Sequence, residues 1–168
     1  MNRALFLDRD GVVNIEINYL YKIEDFEFVE GIFELCKKYQ DRGYIIVIVT
    51  NQSGIARGYY SKEDFNYLTL WMIKEFAKHK IDIKKVYYCP HHPEISGACS
   101  CRKPEPGMFL EAQKEFDIDL KNSILVGDKE SDIEAAFAAG VGETYLFDEN
   151  RVHCESKATK IVSKLEEI

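Results

Sequence analysis

The sequence predicts an α/β fold, a three-layer sandwich with a central parallel sheet. Apolar runs of strand length alternate with longer segments of helical period, a pattern that requires crossover connections between parallel strands. The run YIIVIVT at residues 44–50 is apolar almost throughout, as a strand covered on both faces must be. Polar, acid-rich turns follow several strands, which is where an open parallel sheet carries its reactive groups.

Strands are expected at 4–8, 44–50, 86–89, 123–126 and 143–147, with 44–50 placed centrally. Helices fit between them. Residues 32–42 stop at Gly43, 62–78 begin after Ser61 with Asp64 three residues on, 107–116 form the next, and 129–139 stop at Gly140. A tail helix is expected after Cys154. Two long connections break the alternation: 14–30, rich in Tyr and Phe, and 90–106, which holds all four prolines. Both are expected to be ordered, functional loops.

With 168 residues, 46% hydrophobic and 30% charged, the chain suits one domain spanning 1–168. Lys and Arg number 22 against 29 Asp and Glu, a formal charge of −7, which disfavours a general nucleic-acid binder. No run approaches the roughly 18 apolar residues of a membrane span, and MNRALFLDRDG reaches two acids early. A cytoplasmic monomer without membrane or nucleic-acid partners is expected. Five cysteines, three of them within residues 89–101, suggest metal rather than disulfides in a reducing compartment.

The first strand runs into Asp8-Arg9-Asp10-Gly11, the second into Thr50-Asn51-Gln52-Ser53-Gly54, and the fourth into Gly127-Asp128-Lys129, with Asp132 one turn on. Carboxylates converging at one sheet edge repel one another, and a divalent cation with oxygen ligands relieves that repulsion. Mg2+ suits the cluster, and Mg2+ with a phosphate oxygen suits phosphoryl transfer. A single D-x-D turn or a Gly-Asp N-cap would carry no such weight. The coincidence of Asp8, Asp10, Thr50, Lys103 and Asp128 at or beside strand ends does.

The segments FLDRDGVVN, VTNQSG, CRKPEPGM and VGDKESD, in this order and spanning most of the chain, resemble the four motifs of the haloacid dehalogenase superfamily of phosphatases. More narrowly, NQSGIARG after Thr50, with CPHHP before the paired cysteines and CRKP after them, looks like the heptose bisphosphate phosphatases, with histidinol-phosphate phosphatases as a related group. The resemblance implies the Rossmann-like fold of that superfamily, with Asp8 on the central strand beside the strand ending at Asp128. It also implies Asp8 as nucleophile and Asp10 as general acid and then base, with Arg9 alternating out of the pair. Thr50 and Lys103 would be the groups that meet the phosphoryl oxygens. Mg2+ would be held by the Asp8 carboxylate, the Asp10 carbonyl and the Asp128 carboxylate, with Asp132 outside that set or capping its helix. Asn18, Tyr19, Asn51, Gln52, Ser53, Arg57, Arg102 and Lys129 would contact substrate.

Cys89-Pro90-His91 and Cys99-Ser100-Cys101 offer three thiolates and an imidazole, the composition of a closed tetrahedral zinc site. His92 is adjacent, and the resemblance assigns the ligand role to His91. A closed zinc would fix the loop carrying Arg102 and Lys103 rather than activate water. Cys36 and Cys154 are expected to be free thiols. Neither interval between motifs leaves room for the cap domain of many superfamily members, so an open mouth is expected, with selectivity left to 14–30 and the cysteine loop.

The segment between His91 and Cys99 has the length of the histidinol-phosphate type, whereas Ser53 and Arg57 match the heptose group. The substrate implied is therefore D-glycero-D-manno-heptose 1,7-bisphosphate, losing its 7-phosphate on the way to nucleotide-activated heptose. The rivals are histidinol phosphate, a polynucleotide 3′-phosphate disfavoured by the negative charge, and a non-catalytic zinc-stabilised binding module.

Overall fold

The computed structural model describes residues 1–153 and 155–168. Six parallel strands form one sheet: β1 (Arg3–Leu7), β2 (Tyr44–Asn51), β3 (Ile83–Cys89), β4 (Ile124–Gly127), β5 (Glu143–Phe147) and β6 (Lys160–Val162). Their order is β3-β2-β1-β4-β5-β6. The chain steps outward from β1 to β3, then returns to the other side of β1. The direction of winding therefore reverses between β1 and β4, the place where such a sheet opens a crevice at its carboxyl edge. β2 is interior, as its apolar run demands, but the two central strands are β1 and β4.

Helices α1 (Ile32–Asp41), α2 (Lys62–Lys78), α3 (Pro93–Ser96), α4 (Gly107–Phe116) and α5 (Glu130–Ala139) complete the layers. The period of two along β1 divides its side chains between two cores. Leu5 and Leu7 join Ile46 and Ile48 under α1 and α2, while Ala4 and Phe6 join Val47 and Val49 under α4 and α5. Ser61 and Asp64 close a reciprocal capping box on α2. Gly140, at φ +93°, ends α5 in the left-handed conformation that glycine adopts without penalty.

The expected tail helix does not form. Residues 160–162 add β6 to the sheet edge beside β5, followed by a single 3-10 turn at Leu165–Glu167. Val162, Leu165 and Ile168 are buried against the α1 face of the core, so three apolar contacts fix the tail in place of an amphipathic stripe. Cys154, expected to be a free thiol, lies outside the described residues, whereas Cys36 is a buried free thiol on α1.

Phe109 on α4 is fully buried and packs edge-on to Phe6 at 5.0 Å, whereas its neighbour Leu110 is 44% exposed. Phe109→Ala should cost about 3–5 kcal/mol in urea denaturation. Leu110→Ala should stay within about 0.5 kcal/mol.

Candidate active site

Asp8 follows β1 and Asp128 follows β4, and these strands are hydrogen-bonded neighbours, so the fold sets the two carboxyl groups side by side. Asp132, on the first turn of α5, joins them: one carboxylate oxygen from each of the three lies within 4.8 Å of the others. Gly11, at φ +92°, lets the chain pass against Asp128, whose carboxylate fills the space a Cβ would need.

One ammonium serves this cluster. Lys103 is 3% exposed, and its Nζ lies 3.0 Å from Asp8 Oδ1 and 2.6 Å from Asp132 Oδ1 while donating to the Val49 carbonyl at 2.9 Å. Its main chain is clamped to the end of β2. The Asn51 side chain accepts the Lys103 N–H at 3.0 Å and donates to the Lys103 carbonyl at 3.2 Å. Asp132 is saturated, since Oδ2 accepts the N–H groups of Asp128 and Lys129. Asp128 Oδ1 is buried with no partner.

Such an orphaned buried carboxylate oxygen carries a desolvation cost that a cation would remove. An oxygen-only donor set that includes Asp8 and Asp128 fits a hard divalent cation such as Mg2+. Asp132, its oxygens already used, fits a supporting place instead.

Charge bookkeeping leads the same way. Burial, reinforced by Asp132 and Asp10 and opposed by Lys103, pushes Asp8 up to about 7. Burial and the Asp8 and Asp132 carboxylates push Asp128 up to about 9. Burial opposes the charge on Lys103, but Asp132 and Asp8 outweigh it and hold the ammonium well above the usual lysine range.

Asp10 is held apart from this cluster. Its Oδ1 accepts from Arg9 Nη2 at 2.9 Å and Asn14 Nδ2 at 3.1 Å, and its Oδ2 accepts from Gln52 Nε2 at 2.9 Å. Here the structure corrects the expectation that Arg9 alternates away. β1 ends at Leu7, so strand alternation no longer governs Arg9, which turns inward, is 1% exposed, and bonds both Asp10 and the Leu20 carbonyl.

Gln52 Nε2 also donates to Thr50 Oγ1 at 2.9 Å, and the Tyr60 hydroxyl donates to Gln52 Oε1. With its two amide hydrogens and its carbonyl engaged, Gln52 aligns Asp10 with Thr50, and Tyr60 fixes which way the amide faces. Arg9 and Tyr60 were not among the residues picked out as functional. No periodic pattern marks them: Arg9 reaches the Leu20 carbonyl 11 positions on and Tyr60 reaches Gln52 eight positions back, across turns that only the fold closes.

Beyond β3, the Cys89, Cys99 and Cys101 sulfurs and His91 Nδ1 form a compact tetrad. Cys99 Sγ lies 3.6 Å from both other sulfurs, and His91 Nδ1 lies 3.5 and 3.3 Å from Cys89 and Cys101. A zinc ion about 2.3 Å from each sulfur gives tetrahedral edges of roughly 3.8 Å, whereas a disulfide would need about 2.0 Å. The sulfurs are free and the spacing fits zinc. Burial raises the Cys99 thiol, but N–H donation from Arg102 and Cys101 outweighs it and brings the group down to about 6, already the ligand form near neutrality. His92 stands outside the tetrad and caps α3.

A cleft of about 500 Å³ opens over the carboxylates. It is lined by Asp8, Asp10 and Lys103, and by every side chain expected to touch substrate: Asn18, Tyr19, Asn51, Gln52, Ser53, Arg57, Arg102 and Lys129. Thr50 sits buried beneath it. Lys129 is paired with Glu16 at 3.2 Å, whereas Arg57 and Arg102 have no carboxylate partner among the described residues. No helix among the described residues is long and apolar enough to cross a membrane.

A family model described as HAD-hydrolase-like matches residues 100–147. The D-glycero-alpha-D-manno-heptose-1,7-bisphosphate 7-phosphatase of Campylobacter jejuni is 56% identical over 149 residues, covering 89% of this chain and 84% of that protein. The D-glycero-beta-D-manno-heptose-1,7-bisphosphate 7-phosphatase of Vibrio cholerae is 51% identical over 148 residues, covering 85% and 80%. Among solved structures, the D,D-heptose 1,7-bisphosphate phosphatase of B. bronchiseptica, complexed with magnesium and phosphate, superposes with a TM-score of 0.85 at 29% identity, covering 97% of this chain and 93% of that one.

Carboxyl groups whose pKa is raised by folding stabilise the protein fully below the unfolded value near 4, and that contribution is lost as pH rises through about 7 and 9. Protein dialysed free of Mg2+ should therefore melt at a lower temperature at pH 8.5 than at pH 6, and added Mg2+ should narrow that difference. Calorimetry in the two buffers, with and without Mg2+, checks this.

Proposed function

This chain belongs to the haloacid dehalogenase superfamily of phosphatases, and from that premise we propose that it hydrolyses the 7-phosphate of D-glycero-D-manno-heptose 1,7-bisphosphate through a phosphoryl-Asp8 intermediate. The observation that carries the bisphosphate reading is one cleft holding two centres of recognition. Asp8, Asp10 and Lys103 lie within it, and so do two arginines, Arg57 and Arg102, without carboxylate partners among the described residues. A substrate with a second phosphate offers those arginines the anion they lack. The names of the relatives support the same substrate, in both anomers.

In the first step Asp8 attacks phosphorus and the bond to the sugar oxygen breaks. Asp10, held off the cluster by Arg9, Asn14 and Gln52, protonates the departing alkoxide. In the second step Asp10 takes a proton from water as that water attacks the phosphoryl group on Asp8, releasing phosphate. Lys103 supplies positive charge beside the reacting oxygens. The Thr50 hydroxyl accepts from Gln52 and donates only a long 3.5 Å bond to the Asn51 carbonyl, which a phosphoryl oxygen would replace. When bound by Asp8, the Asp10 carbonyl and Asp128, Mg2+ supplies the charge that offsets repulsion between the carboxylate and the phosphate. Cys89, His91, Cys99 and Cys101 would hold a zinc with no open position, and Cys101 lies two residues before Lys103, so its effect on catalysis is positional.

Phosphate release measured with both heptose bisphosphate anomers and with histidinol phosphate tests the reading. A preference for one heptose anomer, abolished in Asp8→Asn, is expected. A preference for histidinol phosphate, or release that survives Asp8→Asn, would overturn it. Removing zinc with a chelator and restoring Mg2+ should lower turnover at least tenfold and increase hydrogen exchange across 90–106; full turnover with unchanged exchange would contradict the positional role.

A further inference from the structure

At the rim of the cleft two hydrogen-bond donors face each other. Arg57 is exposed, lies over the Tyr19 ring at 5.8 Å, and places Nη2 only 2.9 Å from Nε2 of His92. The ring of His92 is oriented from its other side, where Nδ1 accepts the Glu94 N–H at 3.2 Å. The His92 backbone is fixed as well, its N–H donating to Ser96 Oγ at 2.9 Å. A neutral imidazole carries one hydrogen, and with Nδ1 accepting, that hydrogen sits on Nε2. Guanidinium nitrogens only donate. The pair therefore presents two N–H groups at hydrogen-bond distance with no acceptor between them, an arrangement that one shared oxygen atom would relieve.

We infer that Arg57 and His92 form a two-donor cradle for an oxyanion, the substrate phosphate that is not hydrolysed, which makes His92 a specificity-determining residue. The inference rests on the bisphosphate reading above. A phosphate oxygen accepts from both donors at once and neutralises the arginine, whereas a sugar hydroxyl would leave that charge unmet. The cradle also joins all three segments around the mouth: Arg57 from the turn after β2, His92 from the cysteine loop next to His91, and Tyr19 from residues 14–30 beneath the guanidinium. On this account the cysteine loop sets substrate choice through His92 as well as holding Lys103.

The test compares kcat/KM for heptose 1,7-bisphosphate with that for p-nitrophenyl phosphate, which has one phosphate only. In His92→Ala the ratio should fall about tenfold, the worth of one charge-assisted hydrogen bond, through KM of the bisphosphate. His92→Gln, which keeps an N–H donor, should recover most of it. The double variant with Arg57→Gln should lose less than the two single losses multiplied, because both donors share one phosphate. A ratio unchanged in His92→Ala overturns the inference, whether both rates fall together, as a purely structural role would require, or neither falls. A native enzyme that shows no preference for the bisphosphate overturns the proposed function and this inference together.

Discussion

Three carboxylates gathered around a single buried ammonium are the constraint from which the rest of the site follows. Asp8, Asp128 and Asp132 converge because β1 and β4 are neighbours and α5 starts where β4 stops; Lys103 pairs with Asp8 and Asp132, and Lys129 acts on Asp128 from the rim. Fully ionised, the group would carry two net negative charges in a region that screens them poorly. The neighbouring architecture manages that excess: Asp132 is absorbed by backbone N–H groups, Asp8 by Lys103 and the Arg9 N–H, and Asp128 is left with an unpartnered oxygen. The unmet demand for positive charge is one that a divalent cation would answer.

Holding Lys103 in place is a separate problem, because residues 90–106 contribute little to either core. Most of residues 93–100 are exposed. Two devices supply order instead. The Asn51 side chain grips the Lys103 peptide from both sides, and the Cys89, His91, Cys99 and Cys101 tetrad ties the loop to the end of β3. A metal at these four ligands would replace the hydrophobic contacts that a short, polar loop cannot make. Arg102 lies on this loop and Arg57 meets it at His92, so the order of one segment bears on both the carboxylate end of the cleft and its mouth.

The fold was legible where periodicity is long. The 44–50 strand, the 62–78 helix with its Ser61 and Asp64 box, and Gly140 at the end of α5 stand as the pattern predicts, because propensity, capping and burial there agree. The tail departs from the expected helix because a three-residue edge strand has too few positions to show a period. In the site, residues at strand ends could be placed from topology alone, and the cleft gathers every one expected to meet substrate. Arg9, Gln52 and Tyr60 show what spacing cannot convey. Arg9 escapes alternation once β1 stops at Leu7, the bond from Gln52 to Asp10 joins loops 42 positions apart, and the bond from Tyr60 to Gln52 depends on how the turn after β2 closes on itself.

The most direct test of the charge argument is calorimetric titration of Mg2+ into zinc-loaded protein at pH 7, in two buffers of different ionisation enthalpy. With Asp8 near 7 and Asp128 near 9 before the cation arrives, binding must displace protons. The account predicts net release of about one proton per Mg2+ bound, with affinity that strengthens as pH rises from 6 to 8. Binding without proton release, at an affinity indifferent to pH, would contradict it.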